Sequence, residues 1–172
     1  MSTLSELVGK ETIEKVLAKG RSTGAGFSEI FIEDKRSTSA GLDDGRIEQV
    51  TTGRDRGAGI RVVHGETTGF AHTADLSEAG LLQAAEAAAV AAKQGSGGVV
   101  TVALGGVDTH PVNDVQILPN EVPKTRKLEM LERANEAARS IDKAVVQVSA
   151  GYGDSVRRIL VANSEGVFAA DD

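Results

Sequence analysis

Residues 46–73, RIEQVTTGRDRGAGIRVVHGETTGFAHT, decide the fold class. Three short runs, Arg46 to Val50, Gly57 to Val63 and Thr67 to Thr73, combine β-branched residues with alternation, and Gly-bearing segments separate them. That wording predicts a β-meander, with the chain turning between Val50 and Gly57 and again at His64-Gly65-Glu66. The two-residue period of a strand places Ala58, Ile60 and Val62 on one face and Gly59, Arg61 and Val63 on the other, so Arg61 is expected opposite the buried side. On the return strand Gly69, Phe70 and Ala71 form a small-large-small triplet, in which the glycine leaves room for a neighbouring side chain or backbone.

Working outward toward the N-terminus, Gly26 to Arg36 alternates around Ile30 and Ile32 and reads as a strand. Ser37 to Leu42 reads as a weaker one, closed by Asp43-Asp44-Gly45, and Asp-Gly between alternating runs is a hairpin signal. Before it, Leu4, Leu7, Val8, Ile13, Val16 and Leu17 recur at helical spacing, predicting an amphipathic helix over 4–19 capped by Ser2 or Thr3. Toward the C-terminus, Asp75-Leu76-Ser77-Glu78 has the form of a capping box ahead of an Ala-rich helix that ends near Lys93 and is stopped by Gln94 to Gly98. Val99 to Leu104 is a candidate strand, and residues 105–123, with all three prolines, read as a long ordered loop. A third helix is predicted over 124–140, with Leu128, Leu131, Ala134, Ala138 and Ile141 on its buried side. Ala144 to Ser149, a turn at Gly151 to Asp154, and Val156 to Ala162 read as a second hairpin. A further strand begins at Val167, four residues after the turn at Asn163, and the chain stops at Asp172, which predicts a longer parent polypeptide.

These elements predict an α+β fold, a largely antiparallel sheet of hairpins and meander with two or three helices packed on one face. At 172 residues the length suits one domain with a proper core, taken as 1–172. Aromatic residues make up only 3%, so aliphatic side chains fill the interior, which favours close helix-on-sheet packing over a wide ligand cavity. The net charge of −6, with cations scattered among acidic residues, argues against nucleic-acid binding. There is no cysteine, no apolar leader and no long apolar run, so the expected location is the cytoplasm, with no membrane partner.

Few residues carry catalytic spacing. His64 sits at a hairpin tip and His110 precedes Pro111, so both read as solvated, while His72 shares a face with Phe70 and reads as a partly buried structural imidazole. No pair of histidines has zinc-ligand spacing. Gly53 to Gly59 lacks the Gly-Lys-Ser/Thr end of a phosphate loop and leads into a strand, and Gln94 to Gly98 lies after a helix, where no nucleophile elbow forms. Glu29/Glu33 and Asp43/Asp44 read as solvated strand and turn residues. Arg54, Arg56 and Arg61, interrupted by Asp55, read as a solvated or ion-paired loop.

The order of segments resembles something more specific. An early helix, GFSEIFIEDKRSTSAGLDDGRIEQV, the Gly-Ala-Gly-Ile-Arg-Val strand, Gly-Phe-Ala-His-Thr, Asp-Leu-Ser and an Ala-rich helix, closed by VRRILVANSEGV at 156–167, resemble the N-terminal region of the TldD/PmbA family, on its TldD side. The resemblance covers nearly the whole chain and is spread over many moderate positions. It implies cytosolic zinc metallopeptidases, once named modulators of DNA gyrase, that form dimers enclosing a chamber. Their H-E-x-x-x-H zinc motif lies C-terminal to this region, and this chain has none, so no catalytic or metal residue carries over and zinc is implied only for the full-length protein. The resemblance thus implies a non-catalytic domain that contacts the same or a related subunit and admits unfolded peptide, with Arg61, Gly69 and Phe70 as candidate contacts. A stand-alone interaction module without proteolysis is the alternative.

Overall fold

The computed structural model describes residues 4–93, 102–106 and 115–171. The expected cap at Ser2 or Thr3, the helix stop at Gln94 to Gly98, and His110 lie outside them. The fold is α+β, a five-stranded sheet in the order β3-β2-β1-β4-β5, where β1 is Phe27–Asp43, β2 Arg46–His64, β3 Thr67–Thr73, β4 Ser149–Asn163 and β5 Phe168–Asp171. The helices are α1 (Leu4–Leu7), α2 (Lys10–Gly20), α3 (Glu78–Ala92) and α4 (Lys124–Ile141).

Two turns follow the expectation. Asp44 and Gly45, both at positive φ (46° and 79°), join β1 to β2 as a type I′ turn requires. Gly65, at φ 58°, opens the two-residue turn from β2 to β3, as in a type II′ turn. From there β2 and β3 pair antiparallel, Ala58 with Thr73 through His64 with Thr67.

Two expected turns do not form. The chain runs straight through residues 51–56, so Arg46 to Val50 and Gly57 to Val63 are one strand, and the two predicted strands over 26–42 likewise merge into β1. Residues 151–154 also stay extended, so β4 replaces the predicted second hairpin, and residues 144–148 precede it without strand structure. The cause is pairing with a long neighbour. Gly53, Gly151 and Gly153 keep φ out of the positive range and stay extended. A ladder of backbone hydrogen bonds along β1 outweighs a local preference for reversal.

The helices show smaller differences. The first predicted helix is broken at Gly9, whose ψ of 148° is extended. Ser77, not Asp75, caps α3, its hydroxyl accepting from the Gly80 amide at 3.2 Å, while Asp75 accepts from the Ser77 amide. Glu78 leaves the capping role and reaches α2, where Thr12 and Lys15 donate to it. Residues 102–106 are irregular, yet Val102 and Leu104 are buried, and Glu14 accepts from the Leu104 amide. In α4 the predicted buried side holds in part: Leu131 is buried, Leu128 packs beside it and Ala138 is half-buried, but Ala134 and Ile141 are exposed, and Lys127 is buried as well.

The chain forms two compact units. Unit 1 comprises residues 1–34, 56–112 and 158–172, and unit 2 comprises 35–55 and 113–157. In unit 1, Ile13, Val16 and Leu17 of α2 and Leu81, Ala85 and Ala88 of α3 pack with Ile30, Ile32, Ile60, Val62 and Leu160 of the strands. All these strand residues share one face, so among the described residues no helix covers the opposite face of the sheet in this unit. Unit 2 has a far smaller cluster, Ala40, Leu42 and Leu131, with Ile47, Leu128, Ala150 and Tyr152 around it.

Candidate functional site

Antiparallel register sets Arg61 opposite Phe70 and Val62 opposite Gly69. Cross-strand partners share a face, so Arg61 and Phe70 come together on the outer face of unit 1, while Gly69 turns inward with Val62. The Arg61 Nε lies 2.8 Å from the Glu29 Oε1, and its guanidinium sits over the Phe27 ring at 5.7 Å from the centroid. Phe70 is 62% exposed and lies across Gly59, where an added Cβ would come within 3.1 Å of its ring. His72, expected to be partly buried, is exposed next to Phe70, with ring centroids 6.5 Å apart. No element among the described residues covers the edge strand on this face, which is why the imidazole stays in solvent. The strip presents an ion pair and flat aromatic surface, and its chemistry is recognition.

Gly69 meets α3. A Cβ there would stand 2.0 Å from the Ala88 carbonyl oxygen and 2.7 Å from the Ala92 amide nitrogen. Only glycine permits this approach of strand and helix backbones, and the alanines of α3 provide the matching flat surface.

Strand β3 covers only residues 58–64 of β2. Residues 46–56 of β2 therefore run along the outside of the sheet with no further strand beside them among the described residues, and all but Ile47 are exposed. Such an edge offers backbone donors and acceptors at strand spacing. Apart from Ile47, the exposed Val50 and Gly53, its side chains are polar or charged, in keeping with an edge protected against indiscriminate pairing. Arg54 and Arg56 lie on this strand, where the sequence placed them in a loop.

Sequence reasoning missed a buried ionic cluster in unit 2. Lys127 on α4 is only 4% exposed and donates to Asp154 Oδ2 at 2.6 Å; Tyr152 donates to the same oxygen at 2.6 Å. Burial pushes the Asp154 carboxyl up, but the hydrogen bonds from Lys127 and Tyr152 and the Lys127 charge outweigh it and hold the carboxyl below its ordinary range. The hydrogen bond to Asp154, burial and the carboxylate charge push the Tyr152 phenol up to about 12. The signal was available: Tyr152 and Asp154 are two apart on one strand, hence on one face, and Lys127 is four residues before the buried Leu131. Every polar group in the cluster has a partner, so its role is to hold the helix on the sheet. At the tip of the same unit Asp43 accepts from Ser149 and Gln147, which lowers its carboxyl, and Arg139 donates to Asp44.

A zinc ion does not fit the described residues. Among the described residues no three of His, Cys, Asp and Glu converge on one point, and His64 and His72 lie on different strands without a third donor. No helix among them is long and apolar enough to cross a membrane.

Comparison with known proteins fits this geometry. Residues 28–92 match the first domain of the PmbA/TldA metallopeptidases and residues 117–172 match the central domain. A metalloprotease TldD homolog of Haemophilus influenzae is 31% identical over 146 residues, covering 84% of this chain and 30% of the relative. A metalloprotease of Methanothermobacter thermautotrophicus is 33% identical over 144 residues, again 30% of its length. Among solved structures, a modulator of DNA gyrase from Thermotoga maritima superposes with a TM-score of 0.73 at 21% identity, over 94% of this chain and 36% of that one. TldE from Thermococcus kodakarensis gives 0.68 at 22% identity, over 93% and 36%. This chain spans about a third of these relatives and belongs to the PmbA/TldD family, whose N-terminal region it represents.

Proposed function

We propose that this chain is the non-catalytic N-terminal part of a cytoplasmic TldD-like zinc metallopeptidase, where it takes part in subunit assembly and admits unfolded peptide. The uncovered edge of β2 at residues 46–56 carries this reading. An extended peptide added there would bind through main-chain hydrogen bonds, which tolerate any side-chain sequence, as an enzyme acting on unfolded chains needs. Arg61 and Phe70, on the outer face of unit 1, are the candidate side-chain contacts, and Gly69 supports them by seating β3 on α3. The metalloprotease names of the relatives imply a metal, and in this reading hydrolysis belongs to the part of such a protein beyond the third matched here. The existence of TldD and TldE relatives supports a same or related subunit as partner.

The test is fluorescence anisotropy of a labelled, unstructured peptide with the 172-residue chain. N-methylation of alternate peptide nitrogens should weaken binding about tenfold or more, because it removes ladder donors without changing side chains. Equal binding of both peptides contradicts strand addition, and peptide hydrolysis by this chain that survives chelation contradicts a non-catalytic part.

A further inference from the structure

Strand β4 has an open edge of a different kind from that of β2. β5 pairs with residues 159–162 of β4, and among the described residues no strand lies beside 149–156 on that side. The β2 edge at 46–56 carries Arg46, Glu48, Arg54, Asp55 and Arg56, charges that discourage pairing. Residues 149–156 carry one charge, Asp154, and it is tied to Lys127 and Tyr152 on the α4 side of the sheet. They contain no proline, and exposure alternates without a break from Ser149 to Val156, so the strand is regular there. A regular edge without outward charge is a template for another strand.

The glycines of β4 point to the side chains that such a strand would bring. Gly151 and Gly153 are exposed and keep φ out of the positive range, and a Cβ built on either would meet nothing within 4 Å. Neither backbone conformation nor packing within the chain calls for glycine at these positions, although glycine weakens a strand. Gly41 on β1 is a third such residue. It stands beside Gly151, because Asp43 accepts from the Ser149 hydroxyl and the Asp44 amide donates to the Val148 carbonyl, setting 43 opposite 149 in antiparallel register. The three form a bare bed on the face opposite Ala40, Leu42, Ala150 and Tyr152, which pack around Leu131. In unit 1 the chain itself shows what covers a glycine on this kind of surface: Phe70 of the adjoining strand lies across Gly59, its ring 3.1 Å from where a Cβ would stand.

We propose that residues 149–156 pair, in the full-length parent protein, with a strand from the part of the polypeptide that this chain does not span, and that this strand lays an aromatic side chain over Gly151 and Gly153. The chain spans 30% of the Haemophilus and Methanothermobacter relatives, so most of a polypeptide of that length lies outside it. A ring laid over the glycines supplies the cross-strand packing that they lack and shields the bed from water. Tethering within one polypeptide holds that strand at an effective concentration that a free peptide does not reach. A free peptide without aromatic residues gains less on this bed, which offers no side chain to pack against, and the β2 edge at 46–56 remains the place for it.

Hydrogen exchange of the full-length parent protein beside the 172-residue chain tests the added strand. Alternate amides of 149–156 should exchange about tenfold or more slowly in the parent, since every second amide of an edge strand points away from its paired neighbour. Gly153→Val tests the covering ring, with thermal melting as the readout and circular dichroism as the folding control. In the 172-residue chain it places a β-branched residue in open space and should raise Tm; in the parent it displaces the ring and should lower Tm. Equal exchange in the two proteins overturns the added strand. A Tm shift that keeps its sign between them overturns the ring. Protection in the parent that fades on dilution overturns an occupant from the same polypeptide. Protection of 46–56 by added peptide reads the proposed function separately, and its absence leaves the β4 edge untouched.

Discussion

In unit 1, Ile30, Ile32, Ile60 and Val62 are fully buried by α2 and α3, whereas β1 enters unit 2 with only Ala40 and Leu42 against Leu131. Each large aliphatic side chain removed from water contributes about 1.5–3 kcal/mol. Unit 1 is thus held by many interchangeable contacts, and unit 2 by a few, reinforced with the Lys127–Asp154–Tyr152 cluster. The contrast matters for function because residues 46–55 of the free edge of β2 belong to the unit with the smaller core. Segments that bind and assemble are drawn from the less stable part of a structure.

The contrast can be broken most severely at Lys127. Lys127→Ala leaves Asp154 as a buried carboxylate without its counter-ion and should cost about 3–5 kcal/mol, whereas Lys127→Met with Asp154→Leu should recover most of that loss. Urea denaturation of the three proteins checks both. In unit 1 the equivalent lesion is Gly69→Ala, which forces β3 and α3 apart and should cost about 3 kcal/mol, the upper end for overpacking. Hydrogen exchange should show that loss across α3 while α4 is spared.

Acid separates the units without mutation. The Asp154 pKa is depressed on folding, so its stabilisation is present above the unfolded carboxylate value near 4 and is lost as pH falls through the lower folded value. Tyr152 acts at the other end: its pKa is raised, so its contribution is complete below the unfolded value near 10 and is lost as pH rises through about 12. Amide exchange followed against pH should therefore report opening in α4 before α3 in acid. Simultaneous loss in both helices would remove the distinction. The smallest expected effect is Arg61→Ala, which deletes a half-exposed ion pair and should change stability by only about 0.5 kcal/mol in thermal melts. If Arg61 contacts peptide, the same variant weakens binding far more than folding.

The parts of the fold legible in the sequence were those fixed locally. Asp44-Gly45 and Gly65 mark true reversals because each sits between alternating runs and takes positive φ. Gly53, Gly151 and Gly153 carried the same local signal, but the length of β1 and β4, which only distant pairing sets, keeps them extended. In α4 periodicity correctly predicted a helix and the burial of Leu131 but misjudged Ala134 and Ile141, since they are as apolar as Leu131 and only the partner strands decide. Lys127 was marked by its place four residues before Leu131, but its partners Asp154 and Tyr152 lie on β4, where the sequence reading put a turn, so the cluster emerges only with that strand seen whole. At the candidate contacts, Arg61 lies on the outer face as alternation required, and Gly69 explains itself only once α3 is seen against it.

Hydrogen–deuterium exchange of the 172-residue chain with and without an unstructured peptide tests the account most directly. It predicts new protection confined to residues 46–56 of β2, with 58–64, already paired to β3, unchanged. Protection that falls on β3 and α3 instead, or none at a peptide concentration that saturates binding, would contradict it.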